Sequence, residues 1–236
     1  LMDAPPKDTA AENRPTNAPG DDATTAQGWI HPSVVRVRAE EEDGIASGSG
    51  TLIGVDEEHG YVITNWHVVQ GASGSVTVTF PDGFQSAATV MKMDSDWDLA
   101  ILVIWKPNAL PMPLSPRLPS RGEPLIIAGY GAGEFRSAQG VMTEFVAPDG
   151  DLPYEMFEVS TAARHGDSGG PIVNMQGQLA GVLFGAGGGR TTGSHVGRLK
   201  QFLNEAFQVP DARAPDSLPL PPSPMQAQGS SIAVDQ

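Results

Sequence analysis

Residues 164–172 read Arg164-His165-Gly166-Asp167-Ser168-Gly169-Gly170-Pro171-Ile172, and this segment guides the interpretation of the whole chain. Glycines on both sides of Ser168 let the backbone turn where a side chain would clash. Such a turn can expose the Ser168 hydroxyl and point the amides of Gly166 and Ser168 at one position, where they stabilise a negative oxygen. A serine hydroxyl is a weak nucleophile unless a base, oriented by a third group, activates it. The segment therefore predicts a histidine and a carboxylate elsewhere in the chain.

Both groups are present, each beside an apolar run. His67 lies in Thr64-Asn65-Trp66-His67-Val68-Val69, at the end of a β-type run, and Asp98 opens the run Asp98-Leu99-Ala100-Ile101-Leu102-Val103. Asp94 and Asp96 are rivals for the role of the carboxylate. We favour Asp98, because the apolar strand that begins directly after it is expected to bury its side chain.

The same aspartates form the run Asp94-x-Asp96-x-Asp98, which resembles the start of an EF-hand calcium loop. Such a loop needs glycine at its sixth position and glutamate at its twelfth. Leu99 and Trp105 occupy those positions. The sequence therefore predicts no calcium site here, and no metal site is predicted elsewhere in the chain.

The three motifs together, at residues 64–69, 98–101 and 166–171, resemble those of the trypsin-like (chymotrypsin-fold) serine proteases. Their order of histidine, aspartate and serine is that of chymotrypsin, whereas subtilisins and α/β-hydrolases use other orders. The histidine motif is most similar to that of the bacterial HtrA-type branch. The resemblance covers residues 29–207, which is most of the chain.

This resemblance implies a serine endopeptidase that works through an acyl-enzyme. Ser168 would be the nucleophile, His67 the general base, and Asp98 the group that orients His67. The amides of Gly166 and Ser168 would form the oxyanion hole. A polypeptide substrate is implied, and no cofactor is implied.

Residues 1–28 contain no activation motif of the Arg-Ile-Val-Gly-Gly kind at which trypsin zymogens are cut. We therefore expect an enzyme that does not need such a cleavage. In animal trypsins the aspartate that matches Asp167 pairs with the freed amino terminus. Asp167 is consequently expected to find another partner or to be solvated.

Composition limits the possible classes of function. The chain has 236 residues, a formal net charge of −14 at pH 7 and no cysteine. A nucleic-acid-binding protein is not expected, because such proteins carry a basic surface. No apolar run approaches the roughly 20 residues that a membrane span needs. The lack of disulfides fits a bacterial-type protease, and the resemblance implies a periplasmic or secreted location; the oligomeric state is not indicated.

Short β-type runs separated by turns predict an all-β fold. Six of them, enough for one barrel, cover residues 34–38, 48–55, 61–64, 76–80, 87–93 and 99–105. Five more cover residues 125–130, 139–146, 156–161, 171–174 and 178–184, and residues 185–189 are predicted as a flexible loop. The resemblance implies two antiparallel six-stranded β-barrels with the active site between them.

The remaining segments complete the predicted organisation. Five prolines within residues 107–121 indicate an extended linker between a first barrel at 30–106 and a second barrel. Apolar residues at helical spacing predict a C-terminal helix over 196–207, which closes a second unit at 122–207. Residues 1–28 and 208–236 lack apolar periodicity, so we predict a disordered acidic leader and a disordered Pro-rich tail. That tail is too polar and too short for a PDZ domain.

The primary substrate pocket is predicted by analogy with trypsin-like enzymes, in which the residue six positions before the nucleophile lies at the pocket base. That residue is Ala162, so a substrate Arg or Lys side chain would find no carboxylate there. We therefore predict a pocket for a small or medium apolar side chain, formed by Ala162, Ala163, His165, Phe184, Gly185, Ala186 and Ser194. An acidic substrate residue, met by Arg164, His165 or His195, remains an alternative.

Two further functions remain open at this point. A protease fold can hold peptides or act as a scaffold with little turnover, although an intact catalytic triad argues against this. An esterase would use the same three residues. A covalent fluorophosphonate adduct on Ser168 would separate an activated serine from a binding module.

Overall fold

Six strands of the first half of the protein close into an antiparallel barrel. The computed structural model describes residues 31–148 and 150–207. The strands are β1 (Val34–Glu41), β2 (Gly44–Val55), β3 (His59–Thr64), β4 (Val76–Thr79), β5 (Gln85–Asp94) and β6 (Leu99–Trp105). Their order around the barrel is β1-β2-β3-β6-β5-β4. All six correspond to the predicted β-type runs.

The second half forms another closed antiparallel barrel, in the order β10-β11-β12-β9-β8-β7. Its strands are β7 (Pro124–Gly129), β8 (Arg136–Val146), β9 (Met156–Val159), β10 (Pro171–Asn174), β11 (Leu179–Gly187) and β12 (Arg190–His195). The predicted fold class, two six-stranded antiparallel barrels, is confirmed. The loop predicted at residues 185–189 is wrong in part, because β11 continues to Gly187 and pairs there with β12.

Two α-helices and a short 3-10 helix (His31–Ser33) complete the described structure. Helix α1 (Trp66–Val69) is a single turn after β3, and helix α2 (Val196–Phe207) confirms the predicted C-terminal helix. The buried face of α2 consists of Val196, Leu199 and Phe202. Neither these nor any other helix in the described ranges has the length and apolar character needed to cross a membrane.

The segment between the two barrels is hydrogen-bonded to both of them. The amide of Met112 donates to the carbonyl of Leu52 in the first barrel at 2.8 Å. The amide of Leu179 in the second barrel donates to the Pro113 carbonyl at 2.8 Å, and Leu114 forms an isolated parallel bridge with Leu179. The linker therefore fixes the two barrels beside one another.

One apolar cluster joins both barrels and α2. It contains Ile63 and Leu99 from the first barrel, Ile126 and Val173 from the second, and Phe202 from α2. Burial of this shared core holds the two barrels in a fixed arrangement, and the cleft between them keeps its shape. The predicted leader and tail, residues 1–28 and 208–236, lie outside the described residues.

Candidate active site

The pairing of β3 with β6 brings His67 and Asp98 together, because His67 follows β3 in α1 and Asp98 directly precedes β6. His67 Nδ1 lies 2.6 Å from Asp98 Oδ2, and the His67 amide donates to Asp98 Oδ1 at 2.8 Å. Asp98 is 4% exposed, as its position before an apolar strand predicts. Since both carboxylate oxygens are engaged, Asp98 fixes the orientation of the imidazole.

Asp98 adopts a strained backbone conformation with a φ of +50°, in the left-handed region that residues with a Cβ rarely enter. Its carbonyl accepts a hydrogen bond from Nδ2 of the buried Asn65 at 2.7 Å. Asn65 therefore links the loop before β6 to the segment that carries His67. Sequence reasoning did not assign this role to Asn65; its place in the histidine motif was the available signal.

The rival aspartates have other environments. Asp94 pairs with Arg198 at 2.6 Å and accepts the Asp96 amide at 3.1 Å, so its carboxylate supports the packing of α2. Asp96 is exposed. Of the three candidates, Asp98 is the one that contacts His67. Within the described ranges, no three His, Asp or Glu side chains are grouped so as to hold a metal ion.

Ser168 lies in a tight turn before β10 that needs glycine on both sides. Gly166 and Gly169 have φ values of +90° and +83°. A Cβ added to Gly166 would lie 2.3 Å from the Gly131 carbonyl oxygen, and one added to Gly169 would lie 2.3 Å from the Ser49 carbonyl oxygen. A larger residue at either position would force the backbone to move. Steric crowding therefore explains why both positions of the serine motif are glycine.

The turn places Ser168 in the same cleft as His67. Ser168 Oγ donates a hydrogen bond to the carbonyl of Phe184 at 3.3 Å. Among the residues that the structure describes, this hydroxyl makes no hydrogen bond to His67. The three predicted catalytic residues are therefore gathered, with the hydroxyl turned towards β11.

The two predicted oxyanion-hole amides are unengaged, since neither Gly166 N–H nor Ser168 N–H donates to another described residue. Both carbonyls of these residues are held by Ser49, a fully buried residue of β2. Ser49 Oγ donates to the Gly166 carbonyl at 2.9 Å, and the Ser49 amide donates to the Ser168 carbonyl at 2.8 Å. Ser49 Oγ also accepts the Tyr130 amide at 2.9 Å. Sequence reasoning missed Ser49, because its contact with Gly166 spans 117 residues.

Asp167 is not solvated; its partner is Arg164. Arg164 Nη2 lies 2.9 Å from Asp167 Oδ1, and the Arg164 amide donates to Asp167 Oδ2 at 2.7 Å. The same guanidinium nitrogen donates to the carbonyls of Gly129 and Glu134. An internal arginine thus supplies the positive charge that the freed amino terminus supplies in animal trypsins.

Comparison with known proteins agrees with this geometry. A family model described as trypsin-like peptidase domain matches residues 48–182, a range that contains His67, Asp98 and Ser168. The chain belongs to the trypsin-like peptidase family.

Two curated relatives of this trypsin-like peptidase are bacterial serine proteases. It is 33% identical over 168 residues to serine protease Rv3671c of Mycobacterium tuberculosis, covering 66% of this chain and 40% of the relative. It is 31% identical over 146 residues to the Do-like serine protease HtrB of Bacillus subtilis, covering 57% of this chain and 31% of the relative. The matched region thus spans 40% or less of the length of either relative.

Solved structures share the two-barrel fold. The active form of the Rv3671c protease from M. tuberculosis has a TM-score of 0.71 at 24% identity, covering 90% of this chain and 97% of that chain. A serine endoprotease from Yersinia pestis has a TM-score of 0.69 at 23% identity, covering 80% of this chain and 67% of that chain. At these identities the likeness shows the fold alone.

The predicted base of the primary pocket in this trypsin-like peptidase is held by Thr191, a residue that sequence reasoning missed. Thr191 is fully buried, accepts the Ala163 amide at 2.9 Å and donates to the Thr161 carbonyl at 2.7 Å. Ala162 is exposed, and Arg136 Nη2 lies 3.5 Å from its carbonyl oxygen. The alanines therefore present small apolar groups beside one exposed guanidinium.

The predicted pocket wall lies at the end of β11. Phe184 is 40% exposed, and its ring centroid lies 6.2 Å from that of His67 in an edge-on contact. Gly185 pairs with Thr192, and Ala186 is exposed. Of these three residues, Phe184 contacts both His67, through its ring, and Ser168, through its carbonyl.

The polar residues considered for this pocket differ in whether a substrate could reach them. Ser194 is 1% exposed and donates to the Trp97 carbonyl at 2.8 Å, so it is removed from the candidate pocket. His195 is also buried: its Nδ1 accepts the amide of Arg198 at 3.0 Å, and this burial lowers the pKa of His195. His165 lines the cleft, beside Gly166. Of the three cationic residues considered for an acidic substrate, His165 alone faces the cleft.

Proposed function

We propose that the chain is a serine endopeptidase that cleaves polypeptides through an acyl-enzyme on Ser168. The observation that carries this proposal is the 2.6 Å contact between His67 Nδ1 and Asp98 Oδ2, with His67 and Ser168 lining one cleft. A buried carboxylate that holds an imidazole in one orientation is the arrangement that activates a serine. Membership in the trypsin-like peptidase family supports the same reaction.

The reaction proceeds in two halves. Ser168 Oγ attacks the scissile carbonyl carbon while its proton passes to His67, and Asp98 stabilises the imidazolium that forms. The Gly166 and Ser168 amides donate to the oxyanion; loss of one such donor typically lowers kcat by about 10²–10³. His67 then protonates the leaving amine as the C–N bond breaks. Water, deprotonated by His67, finally hydrolyses the ester on Ser168.

Before it reacts, the Ser168 hydroxyl must leave the Phe184 carbonyl. Their 3.3 Å separation is longer than the roughly 2.7–2.8 Å of a good O–H···O bond, so little free energy holds the hydroxyl there. Catalytic hydrogen bonds are often long or absent until a substrate binds. A second candidate is a peptide-binding or scaffold module with little turnover; the observation that favours it is that Ser168 Oγ is directed at Phe184 and not at His67.

A fluorophosphonate probe distinguishes these two candidates. We expect intact-mass spectrometry to find one adduct per chain, mapped to Ser168, and no adduct in Ser168→Ala. His67→Ala should slow labelling strongly, because it removes the base. Absence of an adduct in the wild-type chain would favour the binding module.

For the primary pocket we propose a preference for a small or medium apolar side chain before the scissile bond. The support is that Ala162, Ala163 and Ala186, three of the predicted pocket residues, are small and apolar, and that none of the predicted pocket residues has a carboxylate that could pair with Arg or Lys. Cleavage sites in a peptide library, read by mass spectrometry, test this preference. Dominant cleavage after Arg or Lys would contradict it, and dominant cleavage after Glu or Asp would point instead to Arg136 or His165.

We also propose that the protein works outside the cytoplasm, in the periplasm or after secretion. The support is its resemblance to HtrA-type serine proteases. Fractionation of the source cells with an antibody against the chain tests this location. Recovery in the cytoplasmic fraction would contradict it.

A further inference from the structure

The cleft extends well past the catalytic residues. It has a volume of about 580 Å³ and runs from His67, Gly166 and Ser168 to Arg36, Arg38 and Ile45. Of the residues predicted for the primary pocket, His165 lines this cleft at its catalytic end, whereas Ala162 and Phe184 do not line it. Phe184 contacts His67 and Ser168 from the other side, so Arg36, Arg38 and Ile45 lie across the catalytic residues from Phe184. The extension consequently lies on the side of the leaving amine, where residues after the scissile bond would bind.

The alternation of β1 creates this surface. Val35, Val37 and Ala39 are buried in the first barrel, so Arg36 and Arg38 point out of it. Arg36 is paired with Ser49 of β2, which contacts the catalytic turn, and Arg38 is paired with Ser47. Two residues along a strand span about 7 Å. Arg38 therefore lies one strand repeat further from Ser168 than Arg36 does.

The two arginines differ in how far the protein already engages them. Arg36 Nη2 donates to the Gly133 carbonyl, and its guanidinium carbon lies 5.3 Å from the centre of the Tyr130 ring. Arg38 is exposed, and among the described residues its guanidinium has neither a hydrogen-bond nor an ion-pair partner. Arg38 can thus bind a ligand without breaking an internal contact.

The surface continues past Arg38 into a second hollow of about 260 Å³, which shares Arg38 and Ile45 with the first. Its other lining includes the hydroxyls of Thr77 and Thr79. Glu40, two residues after Arg38 on β1, also lines this hollow, and its carboxylate accepts the Ser75 amide at 3.3 Å. An extended peptide that leaves the catalytic site along β1 thus passes Arg36 and Arg38 before it reaches Glu40.

We propose that this extension binds the part of the substrate after the scissile bond and selects an acidic side chain at its second or third residue, through Arg38. The inference rests on the proposed endopeptidase function and adds a substrate preference to it. The full chain carries a net charge of −14, which would repel acidic peptides in general. Two arginines beside the catalytic cleft of an acidic protein supply the local attraction that such a substrate needs.

Matched quenched-fluorescent peptides test the preference. They share one sequence up to the first residue after the scissile bond and then carry Glu, Gln or Lys at the next two positions. We expect kcat/KM for the Glu peptide to exceed that for the Gln peptide by about two- to fivefold, the upper part of the range for an exposed charge pair. Arg38→Gln should remove this difference, and Arg38→Glu should favour the Lys peptide.

Arg121→Gln is the matched control, because Arg121 is an exposed arginine outside the cleft; it should keep the Glu preference. Equal rates for Glu and Gln peptides in the wild type, or an unchanged preference in Arg38→Gln, would overturn the inference. Fluorescence anisotropy of labelled peptides on Ser168→Ala gives a readout without turnover. If the wild type cleaves no peptide, the proposed endopeptidase function fails. If Ser168→Ala binds the Glu and Gln peptides with equal affinity, the inferred preference for an acidic residue fails, whatever the outcome for the endopeptidase function.

Discussion

Arg164 and Asp167 form an ion pair inside the catalytic turn, with Arg164 Nη2 2.9 Å from Asp167 Oδ1 and Arg164 Nε 3.2 Å from Asp167 Oδ2. Asp167 is 4% exposed and lies between Gly166 and Ser168, so its carboxylate needs a partner within the protein. Because that partner is three residues away, the turn carries its own counter-charge. This arrangement explains how the turn forms without a new amino terminus.

We predict that Arg164→Ala lowers both stability and activity. Breaking a buried pair leaves an uncompensated charge, so the free energy of unfolding should fall by about 2 kcal/mol or more. The turn that carries the Gly166 and Ser168 amides is then less well held, so kcat/KM should fall at least about tenfold. Urea unfolding and peptide hydrolysis measure the two effects.

The double variant Arg164→Ala/Asp167→Asn is the control for this prediction. It removes both charges, so part of the lost stability should return. If Arg164→Ala alone retains wild-type stability and activity, the ion pair does not support the turn.

Ser49→Ala tests whether the first barrel positions the oxyanion hole. The substitution removes the donor to the Gly166 carbonyl and the acceptor of the Tyr130 amide. We expect kcat to fall about tenfold or more with little change in KM, because the Gly166–Asp167 peptide is then less well held.

Ser86→Ala is the matched control for Ser49→Ala. Ser86 is also buried in the first barrel; its hydroxyl donates to the Ala87 carbonyl and accepts the Trp105 amide. Its loss should reduce stability and leave kcat unchanged. Equal effects of the two substitutions on kcat would assign Ser49 a structural role only.

His195 predicts a pH dependence of stability. Burial lowers its pKa, and its neutral Nδ1 accepts the Arg198 amide at the start of α2. Below a pH of about 6.5 the unfolded chain takes up a proton that the folded chain resists. The unfolded state then binds more protons, so the free energy of unfolding falls as the pH drops through this range.

His195→Asn should weaken this dependence while keeping a polar cap on α2. The measurement is the urea midpoint at about pH 5 and about pH 7.5, on either side of histidine titration. His165→Asn, at an exposed position, should leave the pH dependence as in the wild type. A full pH dependence in His195→Asn would show that another group is responsible.

Much of the fold could be predicted from the sequence because its signals are local. The strands of the first barrel show either alternating apolar and polar residues or continuous apolar runs. At Val196 the spacing of apolar residues changes to the i, i+3, i+4 pattern of a helix, which marks α2. Strand β12 (Arg190–His195) contains no large apolar residue, so no periodic signal marks it. It forms because its backbone pairs with β11 and β9, which is a tertiary effect.

The three candidate catalytic residues could likewise be proposed from short motifs, whereas the residues that hold them in place could not. Ser49 reaches Gly166 across 117 residues, and Thr191 reaches Ala163 across 28. Neither serine nor threonine carries a signal for such a role in its local sequence. Ser194 and His195 show the opposite error, in which the sequence suggested a role in the substrate pocket that the fold excludes. Both residues are buried, because they belong to β12, which pairs within the second barrel.

The measurement that tests the central claim most directly is cleavage of casein by purified wild-type chain and by Ser168→Ala, with new amino termini identified by mass spectrometry. The hydroxyl makes one 3.3 Å contact, so the variant should unfold at nearly the wild-type temperature. We predict that the wild type generates new amino termini and that Ser168→Ala generates none. Cleavage by Ser168→Ala at the wild-type rate would contradict the proposed mechanism.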